Sequence, residues 1–128
     1  VSAAEATGVA VRPWRVAAWC FYDWANSAYP TVIGTFVFAT YFTQGVAPDP
    51  VTGAARWGVA MAIAGLLVGL LSPVFGAIAD RTGGQRTWLA GFTVLAAIAA
   101  ASLWTVEPDP AFMLRGSILV VLGTVAFE

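Results

Sequence analysis

The chain has 128 residues, 59% of them hydrophobic and only 10% charged, and its 6 basic and 7 acidic residues leave a net charge of −1. A soluble domain carries about 25% charged residues, so the composition argues against a soluble fold, and the negative balance argues against a nucleic-acid partner. His is absent and Cys20 stands alone, which removes His-containing metal sites, His-based triads and an internal disulfide.

Charge is missing from three long runs: Trp24 to Pro48, Trp57 to Ala79 and Thr87 to Val106, of 25, 23 and 20 residues. A helix of about 20 apolar residues crosses a bilayer core about 30 Å thick. Residues 1–13 carry Arg12 without the apolar core of a cleavable signal peptide, and are expected to form a cytoplasmic tail. The first span is expected at about 20–42, with Pro30 as a tolerated kink. Trp14, Trp19 and Trp24 at one end and Tyr41 and Phe42 at the other suit anchoring at two membrane interfaces. GVAPDPVTGAAR (45–56) reads as a loop. The second span is expected at about 57–79, the third at about 87–106, and a fourth from about 111 to 128 after the loop EPDP. From Arg115 to Glu128 the rise is about 20 Å, so the fourth helix would end inside the bilayer with a carboxylate, at high cost. The chain is therefore expected to be an N-terminal piece of a longer multi-pass protein.

Arg12, Arg15, Arg81 and Arg86 fall on one side of this topology, and Arg56 and Arg115 on the other. Four against two predicts a cytoplasmic N-terminus. The absence of Lys suggests a bacterial source and hence a bacterial plasma membrane.

Within the second span, Gly58, Ala62, Gly65, Gly69, Ser72 and Gly76 recur at steps of three and four. Such a stripe shares one helix face and predicts close helix packing. The next step of four lands on Asp80. On the first helix, Asp23, Asn26, Ser27, Pro30 and Gly34 share a polar face, expected to line a cavity or bundle interior. For Asp23, solvation at the membrane boundary is the alternative. Glu128 is a second candidate cavity-lining carboxylate.

The stretch GAIADRTGGQR (76–86) concentrates charge between two apolar runs. Gly83 and Gly84 permit a sharp reversal. Asp80 can cap helix amides, and Arg81 and Arg86 can hold carboxylates or carbonyls. Its pattern, Gly76, Asp80, Arg81, Gly83, Arg86, resembles the signature between the second and third helices of the major facilitator superfamily. That signature ends in two basic residues; here Gln85 replaces the first. Tyr22 to Ala28, YDWANSA, resembles the first helix of the vacuole effluxer-like branch, and the closing GTVAFE resembles the start of that branch's fourth-helix pattern.

The resemblance implies an all-α integral membrane fold of about twelve helices in two bundles, with substrate bound between them. This chain would supply the first four transmembrane helices, ending within the fourth. The implied function is secondary active transport of a small solute by alternating access, with efflux, including amino-acid export, as the expected direction. The charged turn would then act as a latch against the second bundle. Its partners would be the solute, the bilayer and the remaining C-terminal helices; no cofactor is implied. A structural role remains the alternative for this turn, with Asp80 capping and the arginines setting topology. Two other readings are a non-transporting membrane assembly subunit and a small oligomeric four-helix exporter. No paired catalytic carboxylates, nucleophile–base spacing or metal ligands point to an enzyme.

Overall fold

The structure, a computed structural model, describes residues 12–128; the expected tail, residues 1–11 of it, lies outside the described residues. Among the described residues every regular element is helical, as the apolar runs predict.

The first element, α1 (Pro13–Tyr29), begins with proline at its first position, where the missing N–H and preset φ cost nothing. The helical path then continues through a π-helical stretch, Pro30–Phe36, a short α2 (Val37–Tyr41) and a second π-helical stretch, Phe42–Val46. The cause lies in Pro30. Proline lacks the N–H of the helical ladder, and its ring strikes the carbonyl four residues back. Widening the turn to i→i+5 spacing eases the ring clash, while the N–H stays missing. Thr35 fits this wide turn, its Oγ1 donating to the Pro30 carbonyl at 3.0 Å. The helical path thus runs from residue 13 to residue 46, beyond the expected 20–42. The change of pitch also alters helical phase after Pro30, so Gly34 does not stay in register with Asp23 as a regular helix would keep it.

α3 (Pro50–Thr82) starts earlier than the expected 57. Asp49 accepts hydrogen bonds from the amides of Val51 at 3.0 Å and Thr52 at 2.9 Å, and Pro50 takes the first helical position. An N-cap followed by proline is a strong start signal, so most of the expected loop 45–56 is helix. At the other end Asp80 and Arg81 lie in the last turn of α3, and Gly83 ends the helix with φ of 64°. α4 (Gln85–Ser102) follows at once and tightens into a 3₁₀ turn, Leu103–Thr105. A second 3₁₀ turn, Pro110–Phe112, capped by Asp109 on the Ala111 amide at 2.7 Å, leads into α5 (Met113–Phe127).

Among the described residues three stretches, Pro50–Thr82, Gln85–Thr105 and Pro110–Phe127, are long and apolar enough to cross a membrane. At 33 residues α3 is about 50 Å long, so it must tilt or project beyond a core about 30 Å thick.

α5 packs against both α3 and α4. Its buried face is Gly116, Val120, Gly123 and Ala126, at helical spacing. Lipid is as apolar as these side chains, so helix association here rests on close approach rather than on escape from water. Ala96 and Ala99 of α4 and Ala60 and Ala64 of α3 are likewise small and buried. The largest cluster lies toward Asp49: Phe38, Phe42, Val46, Leu103, Val106 and Val120, joined by Trp57 and Met61. Phe42 and Trp57 ring centroids are 5.5 Å apart, and the Tyr41 hydroxyl donates to the Val106 carbonyl at 2.8 Å.

The predicted packing stripe of α3 does not mediate this packing. Gly58, Ala62, Gly65, Gly69, Ser72 and Gly76 are exposed among the described residues, and a Cβ added at any of the four glycines would meet nothing within 4 Å. Close approach falls elsewhere on the helix. At Gly53 an added Cβ would lie 2.6 Å from the Thr43 carbonyl oxygen.

Candidate functional site

The charged stretch becomes a tight hairpin rather than a charged loop. Only Gly83 and Gly84 lie outside helix. Gly83 adopts a left-handed φ of 64°, which glycine reaches without Cβ strain. The Gly84 carbonyl accepts from the amides of Thr87 at 2.9 Å and Trp88 at 3.1 Å, giving α4 its first turn. On the opposite side Thr82 Oγ1 donates to the Ile78 carbonyl at 3.0 Å.

An aromatic clasp fixes how the two helices leave this turn. Phe75 of α3 meets Phe92 edge-on at 5.5 Å and Trp88 at 6.0 Å, and Trp88 stacks on Phe92 at 6.0 Å. Such pairs contribute about 0.5–1.5 kcal/mol beyond their buried area.

The signature residues divide between the two helix ends. Asp80 and Arg81 occupy the C-terminal turn of α3, and Arg86 the first turn of α4; all three are exposed. Arg81 complements the negative pole of α3. Asp80 sits at that same negative pole, where a carboxylate is disfavoured, but faces the start of α4. Its partner there is Gln85, whose Nε2 donates to Asp80 Oδ1 at 2.9 Å. The sequence suggested backbone amides as the donors for Asp80; the donor is a side chain, because Gln85 is the first helical residue after the two-glycine reversal.

Behind the hairpin lies a cavity of about 390 Å³ between α3, α4 and the end of α5. Ser72, Gly76, Gln85, Trp88 and Glu128 contribute to its wall. The hairpin and one of the two sequence-predicted carboxylates therefore share one space. A larger groove of about 810 Å³ runs between α3 and α5, apolar apart from Arg56 at one end and Ser117.

The polar face of the first helix is placed differently. Asp23, Asn26 and Ser27 are exposed, and Ser27 Oγ turns back to the Asp23 carbonyl at 3.2 Å. The contacts of α1 are made by other residues. The Tyr22 hydroxyl lies 3.2 Å from Thr93 Oγ1. Tyr29 stacks on Phe127 at 4.9 Å and 12°, and its phenol fills the space in which Gly123 would carry a side chain. Aromatic residues at these positions suit either interface anchoring or packing, and the structure uses both tyrosines for packing. Their spacing of seven residues places them on one helix face and was the available signal. Gln85, the departure from the signature, is also the partner of Asp80.

Over 99 residues, 75% of this chain, the sequence is 34% identical to an uncharacterized MFS-type transporter, YxiO, of Bacillus subtilis (strain 168). The chain spans about 23% of that relative's length. No family model matches the chain, and no solved structure matches it significantly. Three long apolar helices and this likeness to an MFS-type transporter support a multi-pass membrane protein and its membership of the major facilitator superfamily.

Proposed function

We propose that the chain forms the N-terminal part of a secondary active transporter that exports a small solute, amino acids being one candidate class. The N-terminus and the Gly83–Gly84 hairpin face the cytoplasm of a bacterial cell, and further helices of the full-length protein form the second bundle. One observation carries this reading beyond general membrane transport. The signature Gly76, Asp80, Arg81, Gly83, Arg86 folds into an exposed, tight hairpin between two membrane-length helices. A charged surface at that place can bond to a second bundle in one state and release it in the other, as alternating access requires.

The test is Asp80→Asn in the full-length protein. Asparagine keeps the size and one acceptor oxygen but removes the charge. Spin labels on the cytoplasmic ends of the two bundles should show the inward-open population rising, with solute export from loaded vesicles falling and membrane abundance unchanged. A shift of about 1.4 kcal/mol changes the ratio of states tenfold. Unchanged distances with lowered abundance would make the hairpin a folding and topology element instead.

A further inference from the structure

We propose that Gln85 is the positioning residue for Asp80, an inference that rests on the latch reading of Asp80 above. Gln85 opens α4, Asp80 lies in the last turn of α3, and the left-handed Gly83 between them folds one onto the other. Gln85 Nε2 reaches Asp80 Oδ1 at 2.9 Å. The aromatic clasp of Phe75, Trp88 and Phe92 holds the two helices in that register, so the amide and the carboxylate are set by the hairpin and not by a flexible loop.

The chemistry of the donor matters. The basic residue that the signature carries at this position would set a positive charge beside Asp80. The amide of Gln85 binds one oxygen, fixes the direction of the carboxylate, and adds no charge of its own. Asp80 therefore keeps a net negative charge, with Oδ2 available for a cation or a helix N-terminus that docks against the hairpin. Among the described residues, the other charged groups around Gln85 are Arg81 and Arg86 on the hairpin itself, both exposed, and Glu128 at the end of α5, across the shared cavity. Gln85 thereby separates two roles: it orients Asp80 within the first bundle and leaves its charge for the second.

The experiment uses the full-length transporter with spin labels on the cytoplasmic ends of both bundles. Gln85→Leu, which removes the donor, should raise the inward-open to closed ratio by about three- to tenfold. Asp80→Asn combined with Gln85→Leu should shift it no further than Asp80→Asn alone, because the two residues act as a unit. Gln85→Glu supplies a readout that a merely structural role would not move. Near about pH 8 its carboxylate repels Asp80 and should mimic Gln85→Leu. Near about pH 5 a growing fraction of protonated carboxyl donates again, and the ratio should return toward wild type. Each variant is compared with wild type at the same pH, so effects of pH elsewhere in the protein are common to both. If Gln85→Leu folds poorly, the pH response of Gln85→Glu decides alone, since one sample is read at both pH values. A shift in Asp80→Asn but none in Gln85→Leu, additive effects in the double variant, or a pH-independent Gln85→Glu would overturn the role of Gln85 while leaving the latch standing. No shift in Asp80→Asn would remove both.

Discussion

The two ends of this helical assembly are built on different principles. Toward Asp49 the chain is jammed. Phe42 and Val46 are fully buried, Phe38 and Val106 nearly so, and Gly53 leaves no room for a methyl group against the Thr43 backbone. Toward Gly83 the structure is open. α1 buries none of its 17 residues, the signature charges are exposed, and among the described residues the two helices of the hairpin are joined by one side chain–side chain hydrogen bond and an aromatic clasp. Interiors resist change because each atom has neighbours, whereas an exposed end can exchange partners at small cost. On the transport function proposed above, the fixed end would hold the bundle together and the free end would be where two states differ.

The packed end is most sensitive at Gly53. Gly53→Ala should be the most damaging single methyl in the chain, at about 1–3 kcal/mol for overpacking against backbone that cannot rotate away. Full-length protein in detergent should melt at lower temperature and accumulate less in the membrane. An unchanged Tm would mean that the Asp49 end is not jammed. Gly123→Ala comes next, at about 1–2 kcal/mol. The new methyl would strike the Tyr29 phenol, which is a side chain and can move, and would lie 3.3 Å from Ala99 Cβ. Tyr29→Phe removes the offending oxygen and should restore part of the loss, so the pair should be non-additive. Additive losses would show that Tyr29 does not occupy the Gly123 groove in the full-length protein.

The same contrast explains what could be read from the sequence. Helix existence was legible because uncharged runs of membrane length leave few alternatives. The Gly83–Gly84 reversal was legible because two glycines interrupt charge at a fixed place. Helix starts were less so: residues 45–56 look like a loop by composition, yet Asp49 and Pro50 together begin α3. The Pro30 kink was expected, but the π-helical response to it depends on where the displaced carbonyls find donors, as with Thr35. Which face of α3 packs was not legible. Small residues occur on two faces, and only tertiary contact selects Gly53, Ala60 and Ala64 over Gly58, Gly65 and Gly69. The Asp80–Gln85 bond was hidden for a related reason, since a neutral residue in place of a basic one reads as a loss until the turn brings it to the carboxylate.

The small-residue stripe of α3, open among the described residues, tests how far close packing extends beyond the Asp49 end. If further helices of the full-length protein close against it, Gly69→Leu should cost about 1 kcal/mol. Leu70→Ala should cost less, since Leu70 is 63% exposed and off that face. Melting in detergent would compare the two. Equal or greater loss from Leu70→Ala would place the stripe against lipid and confine close packing to the Asp49 side of the chain.

The smallest effect is expected at Asp49 itself, where the fixed end begins. Bonds from the Thr52 hydroxyl and amide, and from the Val51 amide, hold the Asp49 carboxyl below the usual carboxylate range. A lowered pKa means that the folded state releases this proton more readily than the unfolded chain. Stability from the ionised cap is therefore fully present above the unfolded pKa of about 3.9, and is lost as pH falls through the lowered folded value. Asn is also a good N-cap, so Asp49→Asn should change the neutral-pH Tm little, whereas Asp49→Ala should lower it more. The informative quantity is the difference between wild type and Asp49→Asn followed downward from neutral pH. It should shrink through the acid range as the wild-type carboxylate takes up its proton. A difference that stays constant with pH would mean that the charge of Asp49 contributes nothing to starting α3, and that Pro50 with a neutral acceptor is enough to anchor the fixed end.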